Sequence, residues 1–517
     1  MRSARRNIGI LLSLATGLAL FSGCQDEPIP LSTDSAGAYE LYLQGMDEMR
    51  RFQHELAAQT LEKAVAEDPE FALAHLELST ALEMTGHEEE AKRSLQRAYE
   101  LRENGTERER LQIEHTHARR LGKLEESIAR YEELLAAYPD DPYTLEIRAG
   151  RAYRSGQHEV AADLYGRILQ LDPSRVDMYN MLGYVALSTG DYEEAIGHFR
   201  RYVYYAQGQA NPHDSLAEAY FYLAQYDDSI REYEAALEID PTFLHPAAML
   251  ARVYAHTGQL RRARKLLENH TPMFERYGEQ KWLQKIQIEI DYLAQDWQAM
   301  ADRLEGSLVS LDELEAKGYT DPDSDMPYAS RIEKLADGLG VQIEYACALL
   351  RAGDVERGRK AAQDAKRWMD GAEAFMAADP LHAELPDWLR LARGSLESSL
   401  ARAEHRPADA VTALAAAIDM SKQSPHELVN LRLELARAAL DAGDYDRAQA
   451  AARRVLDDIP RQPRAQLTAA LAAAGLGRAD EALQYLGLYA DTMINAESDH
   501  PEVREARALM QQFSVAN

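Results

Sequence analysis

The stretch Tyr179-Asn-Met-Leu182-Gly183-Tyr-Val-Ala186-Leu-Ser-Thr-Gly190-Asp191-Tyr192-Glu-Glu-Ala195-Ile-Gly-His-Phe199 decides how this chain folds. Tyr179, Leu182, Gly183 and Ala186 fall at i, i+3, i+4 and i+7, which is one apolar face of a helix. Gly190-Asp191 breaks that helix, because Gly enters the turn conformation at little steric cost. Tyr192, Ala195, Phe199 and Val203 then lay a second face along a second helix. Gly183 and Ala195 are small enough for the two helices to approach closely, with Tyr179 and Phe199 filling the gaps around them. The stretch predicts a helical hairpin.

The hairpin recurs. Gly122, Gly156 and Gly190 stand 34 residues apart, with Gly258 two further periods on. Ser127, Ala161, Ala195, Ser229 and Ala263 keep the same phase, as do Pro139, Pro173 and Pro241. The prolines end second helices, since they cannot continue the hydrogen-bond ladder. Upstream, Gly45 and Ser79, and Ala57 and Ala91, repeat the interval before a two-residue slip near Asn104-Gly105. Near the C-terminus Gly443 and Gly477 restore it, with Ala448 and Ala482. Internal periods of this length mark repeat architectures.

At these residues the sequence resembles the tetratricopeptide repeat (TPR) family, whose signature is Leu-Gly-x-x-Tyr, then Ala-x-x-x-Phe, then Pro. The resemblance implies an all-α superhelical solenoid of stacked antiparallel helix hairpins. Units begin near Ala38, Ala72, Arg108, Pro142, Val176, Ala210 and Leu244, and again near Leu391, Val429 and Pro463, with a worn copy near Leu339. The expected organisation is an N-terminal array over 38–275, an irregular helical connection over 276–338 and a C-terminal array over 339–498. A capping helix and tail follow at 499–517. Within the connection, Trp282 to Leu293 and Trp297 to Leu311 read as amphipathic helices of a degenerate repeat, and Tyr319 to Pro327 as a loop. Met369 to Pro386 reads as an inserted or lengthened connection.

Residues 1–23 have the form of a bacterial export signal: Arg2, Arg5 and Arg6, then an apolar run from Ile8 to Phe21, then Ser22 and Gly23. That run is too short to span a bilayer comfortably. Leu20-Phe-Ser-Gly-Cys24 resembles the lipobox of bacterial lipoproteins, which implies lipidation of Cys24 with palmitate-type acyl chains. Residues 24–37 would then be the lipidated cysteine and a flexible tether. Gln25 after the cysteine, by the same resemblance, implies the outer membrane facing the periplasm. The other cysteine, Cys347, lies in an apolar helical run and reads as a buried, inert thiol.

Composition narrows the partners. The chain of 517 residues carries 86 Asp and Glu against 57 Lys and Arg, a formal charge of −29. Loss of residues 1–23 would remove three arginines and no acid. Such acidity excludes a nucleic-acid groove and argues against docking on anionic lipid through charge, leaving the lipid anchor as the membrane contact. No phosphate-binding Gly loop or nucleophile elbow occurs. Asp321, Asp323 and Asp325 alternate like the start of a calcium loop, but Met326 and Ile332 stand where that loop needs Gly and Glu. His115 and His117 are two apart on a helix and point to different sides, a poor metal pair. No metal, cofactor or catalytic residue is expected.

What remains is surface. Placed on the TPR pattern, Tyr143, Tyr153, Arg154, Asn180, Tyr184, Asn211, Phe221, Tyr222, His245 and Arg252 fall towards the groove lined by first helices. Tyr and Arg supply contact area and hydrogen bonds, as binding surfaces favour; the alternative for each tyrosine is packing between repeats. The expectation is a membrane-anchored scaffold or adaptor that holds protein or peptide partners in the bacterial cell envelope. The alternative is a periplasmic receptor for a glycan or small ligand.

Overall fold

The computed structural model describes residues 32–317, 319, 328–377, 387–421 and 428–515. The export signal, Cys24, the tether as far as residue 31 and the aspartates at 321, 323 and 325 lie outside them. The described residues form twenty-six α-helices without a strand. They pair as hairpins: α1 (Ala36–Arg50) with α2 (His54–Glu67), α3 (Ala72–Met84) with α4 (Glu88–Leu101), and α5 (Glu107–Arg120) with α6 (Leu124–Ala137). Then come α7 (Pro142–Arg154) with α8 (His158–Leu171), α9 (Asp177–Thr189) with α10 (Tyr192–Tyr205), and α11 (Ala210–Tyr222) with α12 (Tyr226–Ile239). Next are α13 (Leu244–His256) with α14 (Leu260–Arg276), α15 (Gln280–Leu293) with α16 (Trp297–Glu305), and the short α17 (Leu311–Ala316). The long pair is α18 (Tyr328–Ala352) with α19 (Val355–Ala377). The series ends with α20 (Asp387–Ala403) and α21 (Pro407–Asp419), α22 (Val429–Asp441) and α23 (Tyr445–Asp458), α24 (Pro463–Gly475) and α25 (Ala479–Thr492), and finally α26 (Pro501–Val515). Two compact units divide the chain, one ending at Thr144 and one beginning at Leu145.

Each hairpin turns on a residue with left-handed backbone. Gly190 does so at φ 79°, and Gln295 at φ 55° holds the same place in the α15–α16 turn without the freedom of glycine. Inside the α9–α10 hairpin a Cβ on Gly183 would stand 2.4 Å from the Phe199 ring. Phe199 is wholly buried, and its burial stabilises the pair by roughly 2–3 kcal/mol. The close approach read from the sequence is therefore real.

The departures from period have local causes. The 3-10 turn Arg102–Asn104 supplies the slip near Asn104, and Thr106 and Glu109 then cap α5 reciprocally. Helix α14 has 17 residues where α8, α10 and α12 have 14, so everything after it moves three positions out of phase. The repeat continues through this point as α15 and α16. Asp291, 1% exposed, joins them by accepting from Arg264 of α14 at 3.1 Å and Arg303 of α16 at 2.8 Å.

Other expected boundaries move. The helix expected to reach Leu311 stops at Glu305, and Leu311 opens α17. Leu339 lies well inside the 25-residue α18, and Met369 lies inside α19, which continues to Ala377. These two helices pack so closely that a Cβ on Gly338 would meet the Trp368 ring at 2.2 Å. At the end of the series Val503, Ala506 and Leu509 of α26 cover Leu467, Leu486 and Tyr489 of the last hairpin.

Candidate functional site: the inner face of the first helices

In the second unit the first helices α7, α9, α11, α13 and α15 present equivalent positions one period apart. Gly150, Tyr184, Glu218 and Arg252 form such a row, and the longer α14 makes the next member Glu289 rather than a residue 34 positions on. Two neighbouring pairs in the row bind one another, Tyr184 with Glu218 and Arg252 with Glu289. The Tyr184 hydroxyl donates to Glu218 Oε2 at 2.9 Å, and Tyr222 donates to Glu218 Oε1 at 3.4 Å. Burial, with the nearby carboxylates of Glu218 and Asp214, pushes the Tyr184 phenol well above its ordinary value. It stays neutral and donating.

Arg252 holds Glu289 through Nε and Nη2, at 2.7 and 3.2 Å, and lies over the Phe221 ring at 5.4 Å. His256 also reaches Glu289 at 3.0 Å and packs edge-on against Phe221. Burial alone would raise the Glu289 carboxyl, but the His256 hydrogen bond and the Arg252 guanidinium bring it down to about 2. His245 Nδ1 sits 2.9 Å from Asp214, and its ring stacks on Trp282. Burial works against the charged imidazole, yet the Asp214 carboxylate outweighs it and His245 titrates above its ordinary value.

The expected groove residues divide into four groups. Tyr184, Phe221, Tyr222, His245 and Arg252 come together in this half-buried network. Tyr153 lies one row away, bonded to Ser188 at 2.8 Å, and Arg154 is exposed. Asn180 and Asn211 are buried, each 6% exposed; Asn211 donates to Tyr202 at 3.4 Å, so it packs inside the repeat. Tyr143 belongs to the first unit, where it meets Thr116 at 3.4 Å and burial lifts its phenol to about 12.

Further along the second unit the same face is closed by its own side chains. Arg351 binds Glu434 at 2.7 Å and lies over Trp297 at 5.1 Å. Arg464 lies over the Tyr292 ring at 4.8 Å and binds Glu502 at 3.0 Å. Asp214, Glu218, His256, Trp282, Glu289, Tyr292, Arg351, Glu434 and Arg464 were not read from the sequence as residues of this face. Glu218 was recoverable from the step Tyr184–Glu218–Arg252; the residues after α14 were not, because the phase changes there.

The remaining candidates are structural. His115 is buried against Ser127, and His117 stacks on Tyr99 with centroids 3.9 Å apart. Cys347 is buried, and burial pushes its thiol up to about 11. Among the described residues no group of three potential ligands could hold a metal ion, and no helix is long and apolar enough to cross a membrane.

One tetratricopeptide repeat pattern matches residues 42–106, 148–214 and 433–493, and a second matches 221–274. With the hairpin architecture, these matches place the chain in the tetratricopeptide repeat family. Proteins built of such repeats are generally non-catalytic scaffolds with protein or peptide partners. Three of the similar solved structures show the range. A tetratricopeptide repeat protein from Parabacteroides merdae is 10% identical over 57% of this chain and 98% of its own, with a TM-score of 0.38. The human IFIT1 dimer with m7Gppp-AAAA is 14% identical over 90% and 96%, with a TM-score of 0.40. The MamA protein is 20% identical over 33% and 92%, with a TM-score of 0.27. No curated protein matches the sequence.

Proposed function

We propose that the protein is a scaffold of the bacterial cell envelope, anchored by acyl chains on Cys24, that holds a protein or peptide partner against α7 to α13. The observation that carries this reading is the half-buried set Tyr184, Phe221, Tyr222 and Arg252 on consecutive first helices, beside exposed Arg154. Side chains already held by Glu218 and Glu289 lose little conformational entropy on binding, and Tyr and Arg are the types that anchor interfaces. The export signal and lipobox support the envelope and the outer membrane as its site.

Affinity capture from detergent-solubilised membranes tests the partner. A stoichiometric protein recovered with the wild type and lost with Tyr222→Ala plus Arg154→Ala supports the reading; no partner, with or without crosslinker, overturns it. Fractionation tests the anchor. Cys24→Ala should move the protein to the soluble periplasm, and continued membrane attachment would overturn lipidation.

A further inference from the structure

Residues more than two hundred positions apart meet at one edge of the second unit. Gly258, at φ 73° in the α13–α14 turn, lies directly under the segment after α25. A Cβ there would stand 2.7 Å from the Ala496 Cβ and 2.8 Å from the Met493 Cε. The corresponding glycines 156, 190, 443 and 477 have nothing within 4 Å. The Glu497 amide donates to the Gly258 carbonyl at 3.0 Å. The Glu497 carboxylate accepts from the Arg261 backbone amide at 2.5 Å, while the Arg261 guanidinium reaches Glu497 at 3.3 Å and Asp499 at 3.8 Å.

The backbone bond has a specific meaning. Arg261 is in the first turn of α14, where helix amides lack partners within the helix, and the N-cap residue Gln259 makes no side-chain cap bond. Glu497 supplies that cap from the far end of the unit, with a carboxylate suited to the positive end of the helix dipole. The contact is small: two hydrogen bonds, an ion pair whose arginine is 73% exposed, and the packing of Met493 and Ala496 over Gly258. Hairpin cores hold whole aromatic rings, so this contact parts before any hairpin melts.

We propose that residues 493–499 are a detachable strap. Glu497 caps α14 and ties the segment after α25 to the α13–α14 turn, beside the Arg464–Tyr292 and Arg351–Glu434 contacts that also close this part of the second unit, so that opening of the unit begins with its release. The strap does not depend on the lipid anchor or on the partner's identity.

Amide exchange and small-angle scattering on the full chain test it. In the wild type the Arg261 amide should exchange more slowly than those of Glu193 and Glu159, which occupy the same place in uncovered turns. Glu497→Ala should speed Arg261 exchange about tenfold or more and enlarge the radius of gyration, with helical circular dichroism unchanged. Arg261→Ala keeps the backbone amide and should change both far less. Ala496→Leu, which crowds Gly258 without touching a charge, should reproduce the Glu497→Ala result. Arg261 exchanging as fast as Glu193, or Glu497→Ala leaving exchange and scattering unaltered, overturns the strap. Loss of helical content in both Glu497→Ala and Ala496→Leu also overturns it, because the segment would then belong to the folding core.

Discussion

Tyr184 donates its phenolic hydrogen to Glu218 over 2.9 Å, and the two residues occupy the same position in consecutive repeats. A polar bond of one period thus ties neighbouring first helices on the face proposed to hold a partner. Tyr184→Phe should lower the stability of the α9–α12 region by about 1–2 kcal/mol, because the bond is to an ionised group. Tyr222→Phe should cost less, its bond being 3.4 Å long. A double-mutant cycle with Glu218→Gln, followed in urea, checks both; additive effects would deny the coupling.

Gly183 lies against Phe199 with no room for a methyl group. Gly183→Ala should destabilise the α9–α10 hairpin by roughly 1–3 kcal/mol through overpacking. Phe199→Leu in the same chain should recover part of that loss. Amide exchange of α9 and α10 reads the effect locally, and a neutral Gly183→Ala would contradict the packing.

The His245–Asp214 pair gives a pH dependence of definite sign. The folded imidazole titrates above its ordinary 6.5, so its stabilisation is complete below pH 6.5 and lost as pH rises through the folded value. Glu289 acts at the other end. Held at about 2 against an ordinary 4.5, its contribution is complete above 4.5 and lost as pH falls towards 2. His245→Gln should remove the alkaline limb of the stability profile and leave the acid limb, with imidazole resonances in NMR titration assigning the first step.

Cys347 should resist alkylation in the native state, since burial both shields the thiol and keeps it protonated at neutral pH. Modification followed by mass mapping should appear only when denaturant opens the α18–α20 region. Rapid labelling of the native chain would contradict the packing there.

The hairpins were legible because their causes are local. Apolar positions at i, i+3 and i+4, a turn glycine and a small residue facing an aromatic are properties of about 25 neighbouring residues. First helices α3, α7, α11, α13, α22 and α24 start at the residues expected. Where a unit lengthened, as α14 and α18 do, the pattern lost phase while the stacking of helices continued.

The inner face was legible in part. Five of its residues were placed by the period, whereas the asparagines at 180 and 211 turned out buried, because a polar residue in a helix pattern does not reveal which of two neighbouring faces it takes. By itself the sequence determined an all-α array of tetratricopeptide repeat hairpins, since a repeated local pattern folds the same way each time. Only the tertiary structure decided that Tyr292 lies beneath Arg464 and that Glu497 caps α14. Those contacts depend on small rotations added from hairpin to hairpin, and a sum over many repeats is not written in any one of them.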